Sequence, residues 1–167
     1  KKSEEIKNFP FLQELAEFEW AVMEVFDAYS QKPFDMLTLA GLAMEDWDKI
    51  RFDFQPYVYL SRSTWPVLDI WKTRNDSEFS VKKVKKQTQD ILLFRVQMEI
   101  HTHVMTAKEY DLLEALRQGL SLGDACEQIN LSEEESGSIQ QWFQFWVSAG
   151  LITACHLPAD VKREIDL

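Results

Sequence analysis

With 167 residues, 46% of them hydrophobic and 13% aromatic, the chain has material for one compact domain or two small ones, and its composition excludes a disordered polypeptide. A formal net charge of −10 argues against a general nucleic-acid binder, which needs a basic footprint. No apolar run approaches the roughly 20 residues of a membrane-spanning helix, and Lys1 to Asn8 lack the apolar core of a secretory signal, so a cytoplasmic protein is expected.

The first element is a long helix over Phe9 to Tyr29. Phe11, Leu15, Phe18, Val22, Val25 and Tyr29 recur at spacings of three and four, and a second stripe of Leu12, Ala16, Trp20, Met23 and Phe26 runs beside it. Two apolar stripes suit a helix buried on two sides, either central to its own core or held between its domain and a partner. A short helix ending near Trp47 follows within Asp35 to Ile50. Arg51 to Leu60 alternates and is broken by Pro56, which reads as an extended segment or a distorted strand. In Ser63-Thr64-Trp65-Pro66-Val67-Leu68-Asp69-Ile70-Trp71 the proline suits a first helical turn, with Ser63 or Thr64 as its cap.

The polar stretch Lys72 to Lys86 reads as a linker. Residues 72–117 hold nine of the 18 basic residues, and the cluster Lys82, Lys83, Lys85 and Lys86 suits a solvated linker or a docking patch for an acidic partner. Ile91 to Val96 and Glu99 to Met105 form a hairpin signal around Gln97-Met98. Thr106 with Glu109 makes a capping box, Tyr110, Leu113 and Leu116 form a buried stripe, and Gly119 stops the helix. A short helix Leu122 to Ile129 starts from Ser121. A third starts after Ser132 and runs through Ile139, Trp142, Phe143 and Trp146 to Gly150, and Leu151 to Ala154 closes as a strand.

The expected fold is therefore α+β and mostly helical. Residues 1–75 form a helical, partner-docking half, 76–88 a linker, 89–157 a winged-helix-like module of hairpin, three helices and closing strand, and 158–167 a tail. A winged helix can read DNA, but the third helix follows Glu133, Glu134 and Glu135 and contains no basic residue, which would repel a phosphate backbone. The same architecture can take an extended peptide as an added strand, with alternate side chains entering an apolar groove.

Chemistry-bearing constellations are few. His101 and His103 share one face of a strand and could seed a metal site, but no third ligand stands at a recognisable spacing. Cys126 and Cys155 read as buried thiols rather than a disulfide framework. With neither a nucleophile–base arrangement nor a phosphate-cradling glycine loop, no catalytic residue is expected.

Ser63-Thr64-Trp65-Pro66-Val67 followed by Ile70-Trp71, and the Leu15-Ala16-Glu17-Phe18-Glu19-Trp20-Ala21 helix before it, resemble a signature of the HvfC/BufC-like peptide-modification chaperones that accompany multinuclear iron-dependent oxidative enzymes. Leu112 to Leu116, Gly119 to Leu122 and Gly150 to Ile152 resemble the peptide-recognition element of ribosomally made, modified peptides, so the likeness spans residues 9–155. Many members have a further N-terminal helical domain. Because this sequence opens on the Trp-containing helix, it is most similar to the methanobactin-biosynthesis branch, with other copper-buffering pathways second.

The resemblance implies a heterodimer with a TIM-barrel iron enzyme that oxidises cysteines of a precursor peptide to oxazolone and thioamide groups. Iron would sit in the partner, and this chain would hold no cofactor or metal and capture the leader by strand addition. Residue type then assigns peptide binding to Ile100, Thr102 and Val104 with the helix face Ile139, Phe143 and Trp146. It assigns partner docking to Trp20, Trp65, Pro66 and Trp71. Rival readings are a winged-helix DNA-binding regulator and a stand-alone peptide-holding scaffold.

Overall fold

The computed structural model describes residues 9–39, 42–77, 80, 84–131 and 133–157. In chain order its regular elements are helix α1 (Leu12–Asp27), two 3-10 turns (Met36–Leu39 and Met44–Lys49), strands β1 (Arg51–Phe54) and β2 (Tyr59–Ser63), helix α2 (Val67–Thr73), strands β3 (Gln89–Val96) and β4 (Glu99–Met105), helices α3 (Ala107–Arg117), α4 (Leu122–Ile129) and α5 (Glu133–Ser148), and strand β5 (Ile152–His156). The chain is α+β. The short helix expected to end near Trp47 is of the 3-10 kind, Met44–Lys49, with a second 3-10 turn before it, and Arg51 to Leu60 supplies two strands that pair in different sheets. The expected tail 158–167, Ser132 at the start of α5, and Lys82 and Lys83 of the basic cluster lie outside the described residues.

Two compact units divide the chain differently from the expected halves. One comprises residues 1–28 and 59–105, the other residues 29–58 and 106–167. The stretch 76–88 falls inside the first unit, and the hairpin belongs to that unit while the three following helices belong to the second.

In the first unit, β2, β3 and β4 form an antiparallel sheet with β3 central. Every residue of β3 from Gln89 to Arg95 is buried, as befits a central strand covered on both faces. The two-residue turn Gln97-Met98 joins β3 to β4 with Gln97 at φ 56°, the left-handed conformation that tight hairpins require. Helix α1 buries Phe18, Ala21 and Val25, and Phe11 at its N-cap is buried with them; full burial of a side chain such as Phe18 contributes about 1.5–3 kcal/mol. The Arg95 guanidinium donates to the carbonyls of Phe26 and Ala28, closing the C-terminal end of α1, where a cation also complements the helix dipole.

Helix α2 begins with no side-chain cap of its own: Pro66 stands at the N-cap, and neither Ser63 nor Thr64 fulfils that expected role. Its first-turn amide on Leu68 instead donates to Gln89 Oε1 at 3.1 Å, and Gln89 Nε2 donates to Asp69 Oδ2 at 2.9 Å, so one buried amide from β3 serves the helix start. Arg62 and Asp90, directly opposite across β2 and β3, form a two-point ion pair at 2.6 and 3.0 Å.

Two helices of the second unit, α3 and α4, start from side-chain caps. Thr106 accepts from the Glu109 amide at 3.2 Å and Ser121 from the Asp124 amide at 3.2 Å. Gly119 at φ 88° stops α3 and Gly150 at φ 68° follows α5, both in the conformation only glycine adopts without strain. Leu112, Leu113, Leu116, Ile50, Leu151 and Trp146 are fully buried and make the core.

Strand β5 pairs antiparallel with β1, Phe52 opposite Cys155, and not with the hairpin. Gln55 ties three segments: its amide nitrogen donates to Leu151 O at 2.8 Å, its side chain accepts from Gln31 N at 2.9 Å, and it donates to Gln31 O at 2.8 Å and Gly150 O at 3.2 Å. A buried polar side chain with its donors and acceptor engaged fixes a unique arrangement of those strands.

Candidate functional site

The expected peptide-binding strand is β4, at the edge of its three-stranded sheet. Alternation sends Ile100, Thr102 and Val104 to one face, opposite Arg95, Leu93 and Ile91 of β3, and Val104 is 54% exposed there. His101 and His103 take the other face. His101 stacks on Phe94 with ring centroids 5.5 Å apart, and among the described residues no group of three or more metal-capable side chains converges.

The expected helix face lies in the other unit. Ile139 and Phe143 are half-buried, and Trp146 has no exposed surface. Phe143 stands between Phe52 of β1, at 5.2 Å, and Trp146, at 4.9 Å. Trp146 is thus a core residue, and its indole offers no surface to a ligand. The spacing of Ile139, Phe143 and Trp146 marks a shared helix face correctly, but it cannot tell a core face from a groove face.

The expected docking residues separate within the first unit. Trp65 and Trp71 are half-buried against the inner face of α1, Trp65 beside Phe11 at 6.1 Å and Trp71 edge-on to Phe18 at 5.8 Å, and Pro66 is buried. The Arg74 guanidinium lies 4.6 Å from the Trp71 ring. Trp20, by contrast, is 63% exposed, with Met23, Phe26 and Leu12 exposed along the same helix. The Trp-Pro segment is therefore largely packing for α1, and the outer stripe of α1 is the open surface.

Two features went unread in the sequence. Glu14 reaches from α1 to the turn before α2, accepting from Thr64 N at 2.9 Å, Thr64 Oγ1 at 2.6 Å and Trp65 N at 3.1 Å. No local pattern announces a bond between residues so distant in sequence. The second is a cavity of about 410 Å³ on the outer flank of α1, lined by Ala16, Glu17, Trp20, Glu24 and Tyr59 among others. The seven-residue spacing of Glu17 and Glu24 around Trp20 was a usable signal for it; Tyr59 arrives on β2 and had none.

The titratable groups follow their surroundings. Burial, then the Glu17 and Glu24 carboxylates, raises the Tyr59 phenol above its ordinary value. Burial, then Asp53, pushes the Cys155 thiol up to about 12, and burial with a lesser contribution from Asp48 raises Cys126. Both cysteines are free, as a pair of thiols outside any disulfide framework was expected to be, and they are half-buried. Such thiols are held protonated and are poor nucleophiles. His156 Nε2 stands 2.8 Å from Asp53 Oδ2 on an exposed edge.

No protein-family model matches the chain, and neither a curated protein nor a solved structure is detectably similar to it. No helix among the described residues is long and apolar enough to cross a membrane.

Proposed function

We propose that the chain is a non-catalytic accessory subunit that captures the leader of a ribosomally made precursor peptide and docks on an iron-dependent oxidase, the oxidase converting cysteines of the peptide to oxazolone and thioamide groups in a copper-chelating product of the methanobactin kind. The observation that carries the reading is the edge position of β4, which pairs with β3 on one side and has Ile100, Thr102 and Val104 alternating along it. An edge strand presents a row of backbone donors and acceptors that an extended peptide can complete. The exposed outer stripe of α1 adds a surface for a partner subunit. The winged-helix likeness rests on the order of hairpin, three helices and closing strand, and iron would be the partner's.

The test is co-expression of the tagged chain with the products of its neighbouring genes, followed by pull-down, metal analysis and amide-shift mapping with the co-encoded small peptide. The expected result is a stoichiometric complex with an iron-bearing protein, and peptide-induced shifts centred on residues 100–104. A clean monomer that neither retains such a partner nor shows shifts on β4 overturns the proposal.

A further inference from the structure

Helix α1 has an apolar face to spare. Leu12, Ala16, Trp20, Met23 and Phe26 recur at helical spacing and are all exposed, Trp20 and Met23 at 63% and 60%, while the opposite face is already buried in the first unit. Single exposed apolar side chains are ordinary, but a contiguous stripe of five along one helix face is the kind of surface that serves interaction with another molecule.

The charges that α1 itself carries are all of one sign. The helix includes Glu14, Glu17, Glu19, Glu24 and Asp27 and no basic residue. Glu14 is engaged with Thr64 and Trp65, Glu19 faces Arg74 at 3.9 Å, and Glu17 Oε1 accepts from the exposed Gln13 Nε2 at 3.0 Å, which leaves its other carboxylate oxygen to a ligand. Glu17 and Glu24 stand two turns apart on one flank of the stripe and line the same cavity as Trp20 and Tyr59. Because both carboxylates line the cavity beside Tyr59, their negative field reaches into it, in keeping with the raised Tyr59 phenol.

Aromatic surface flanked by carboxylates is the chemistry that receives an ammonium or guanidinium group. The ring face attracts the cation, the carboxylates add charge and hydrogen bonds, and the apolar walls take the methylene stem. A free small cation would leave the stripe uncovered, whereas a helix that presents apolar side chains with a lysine or arginine at its margin fits both features. A second copy of this chain would set the same acidic helix against itself, with a net charge of −10 on each copy, and an anionic lipid surface would be repelled in the same way.

We infer that the outer face of α1 docks an amphipathic helix of a partner protein, with a lysine or arginine side chain of that helix seated in the cavity between Trp20, Tyr59, Glu17 and Glu24. This deepens the docking half of the proposed function and rests on it only in requiring that a partner exist.

The probes are two synthetic amphipathic helical peptides with the same leucine-rich apolar face, one bordered by lysine and arginine and one by glutamate, titrated into the full chain. The readouts are anisotropy of the labelled peptide and the Trp20 indole N–H and Tyr59 ring resonances. The basic peptide is expected to bind saturably, to shift Trp20 and Tyr59 first, and to bind about tenfold or more tighter than the acidic one. Replacing both Glu17→Gln and Glu24→Gln is expected to weaken it by about tenfold and flatten its salt dependence, and Trp20→Ala to weaken it similarly. Both variants change exposed positions, and an unchanged thermal melt verifies their fold.

Equal affinity for the two peptides, or shifts elsewhere with Trp20 silent, overturns the inference. Pull-down with the double variant separates this inference from the parent reading. If the iron-bearing partner is retained undiminished, the cation pocket falls and the accessory-subunit reading stands. If the basic peptide binds as expected but no iron-bearing partner exists, the reverse holds.

Discussion

Glu14 accepts three donors from the Thr64-Trp65 turn, and a charged acceptor with several donors holds a turn more firmly than a neutral one. Removing it leaves two backbone amides and a hydroxyl to find water at a half-open site. Glu14→Ala is therefore expected to lower unfolding free energy by about 1–2 kcal/mol in urea titration, and Glu14→Gln by roughly half of that. A loss indistinguishable from zero would mean that the turn is held by the Phe11–Trp65 contact alone.

Cys155 makes a second residue-scale case. Its thiol is raised to about 12 from the ordinary 9.0, chiefly by burial and then by Asp53. Below pH 9 the thiol is protonated in both folded and unfolded chains, so it gives stability no pH dependence there. As pH rises from 9 towards 12 the unfolded chain ionises first, and the stability attached to the folded thiol is lost across that window. Alkaline unfolding should show this loss and Cys155→Ala should remove it. At pH 8 iodoacetamide should label Cys155 far more slowly in the native chain than in urea. Native labelling as fast as unfolded labelling would contradict the buried, carboxylate-flanked setting.

At the scale of elements, α5 is held by its aromatic contacts with β1. Phe52, Phe143 and Trp146 form a chain of rings, and Trp146 is wholly enclosed. Its indole Nε1 has no hydrogen-bond partner among the described residues, so its value lies in volume and ring contact, set against the cost of a desolvated donor. Trp146→Ala should cost about 3–5 kcal/mol through the cavity it leaves. Trp146→Phe should cost much less, because it keeps a ring and deletes the unmet donor. Equal losses for the two would show that the donor finds a partner in solution. Neither variant tests peptide binding, since any loss of affinity would follow loss of fold.

The same elements show what a sequence reveals. The α3 and α4 boundaries were legible because their signals are local: Thr106 and Ser121 cap, Gly119 stops, and the hydrophobic period lies between. The hairpin was legible because its strands are two residues apart. The pairing of β1 with β5 was not, since Arg51 opposite His156 is a contact between distant segments whose register depends on the Gln55 tie and on burial, not on any nearby residue. The candidate site divides in the same way. The outer stripe of α1 followed from spacing, while the roles of Glu14, Tyr59 and Trp146 depend on what other segments bring to them.

For the whole molecule, the C-terminal half coincides with neither compact unit. The chain passes from one compact unit to the other after residues 28, 58 and 105, so each unit is assembled from separated stretches. Strand β5 takes its only described partner from residues 51–54, and β3 takes β2 on one side, with α1 supplying the carbonyls that Arg95 caps. A fragment of residues 89–167 would keep the hairpin and the three helices but lose β1, β2, α1 and the Gln55 tie. Its sheet edges and much of its apolar surface would face water, and two-stranded hairpins are marginal in isolation. The fragment is therefore expected to show no cooperative thermal transition and collapsed amide dispersion, while the full chain shows both a transition and dispersed amides. Adding residues 9–77 in trans should restore dispersion if the missing strands are the cause. A fragment that folded cooperatively alone would show instead that the hairpin and helices suffice, and that the segments before residue 89 serve docking rather than the fold.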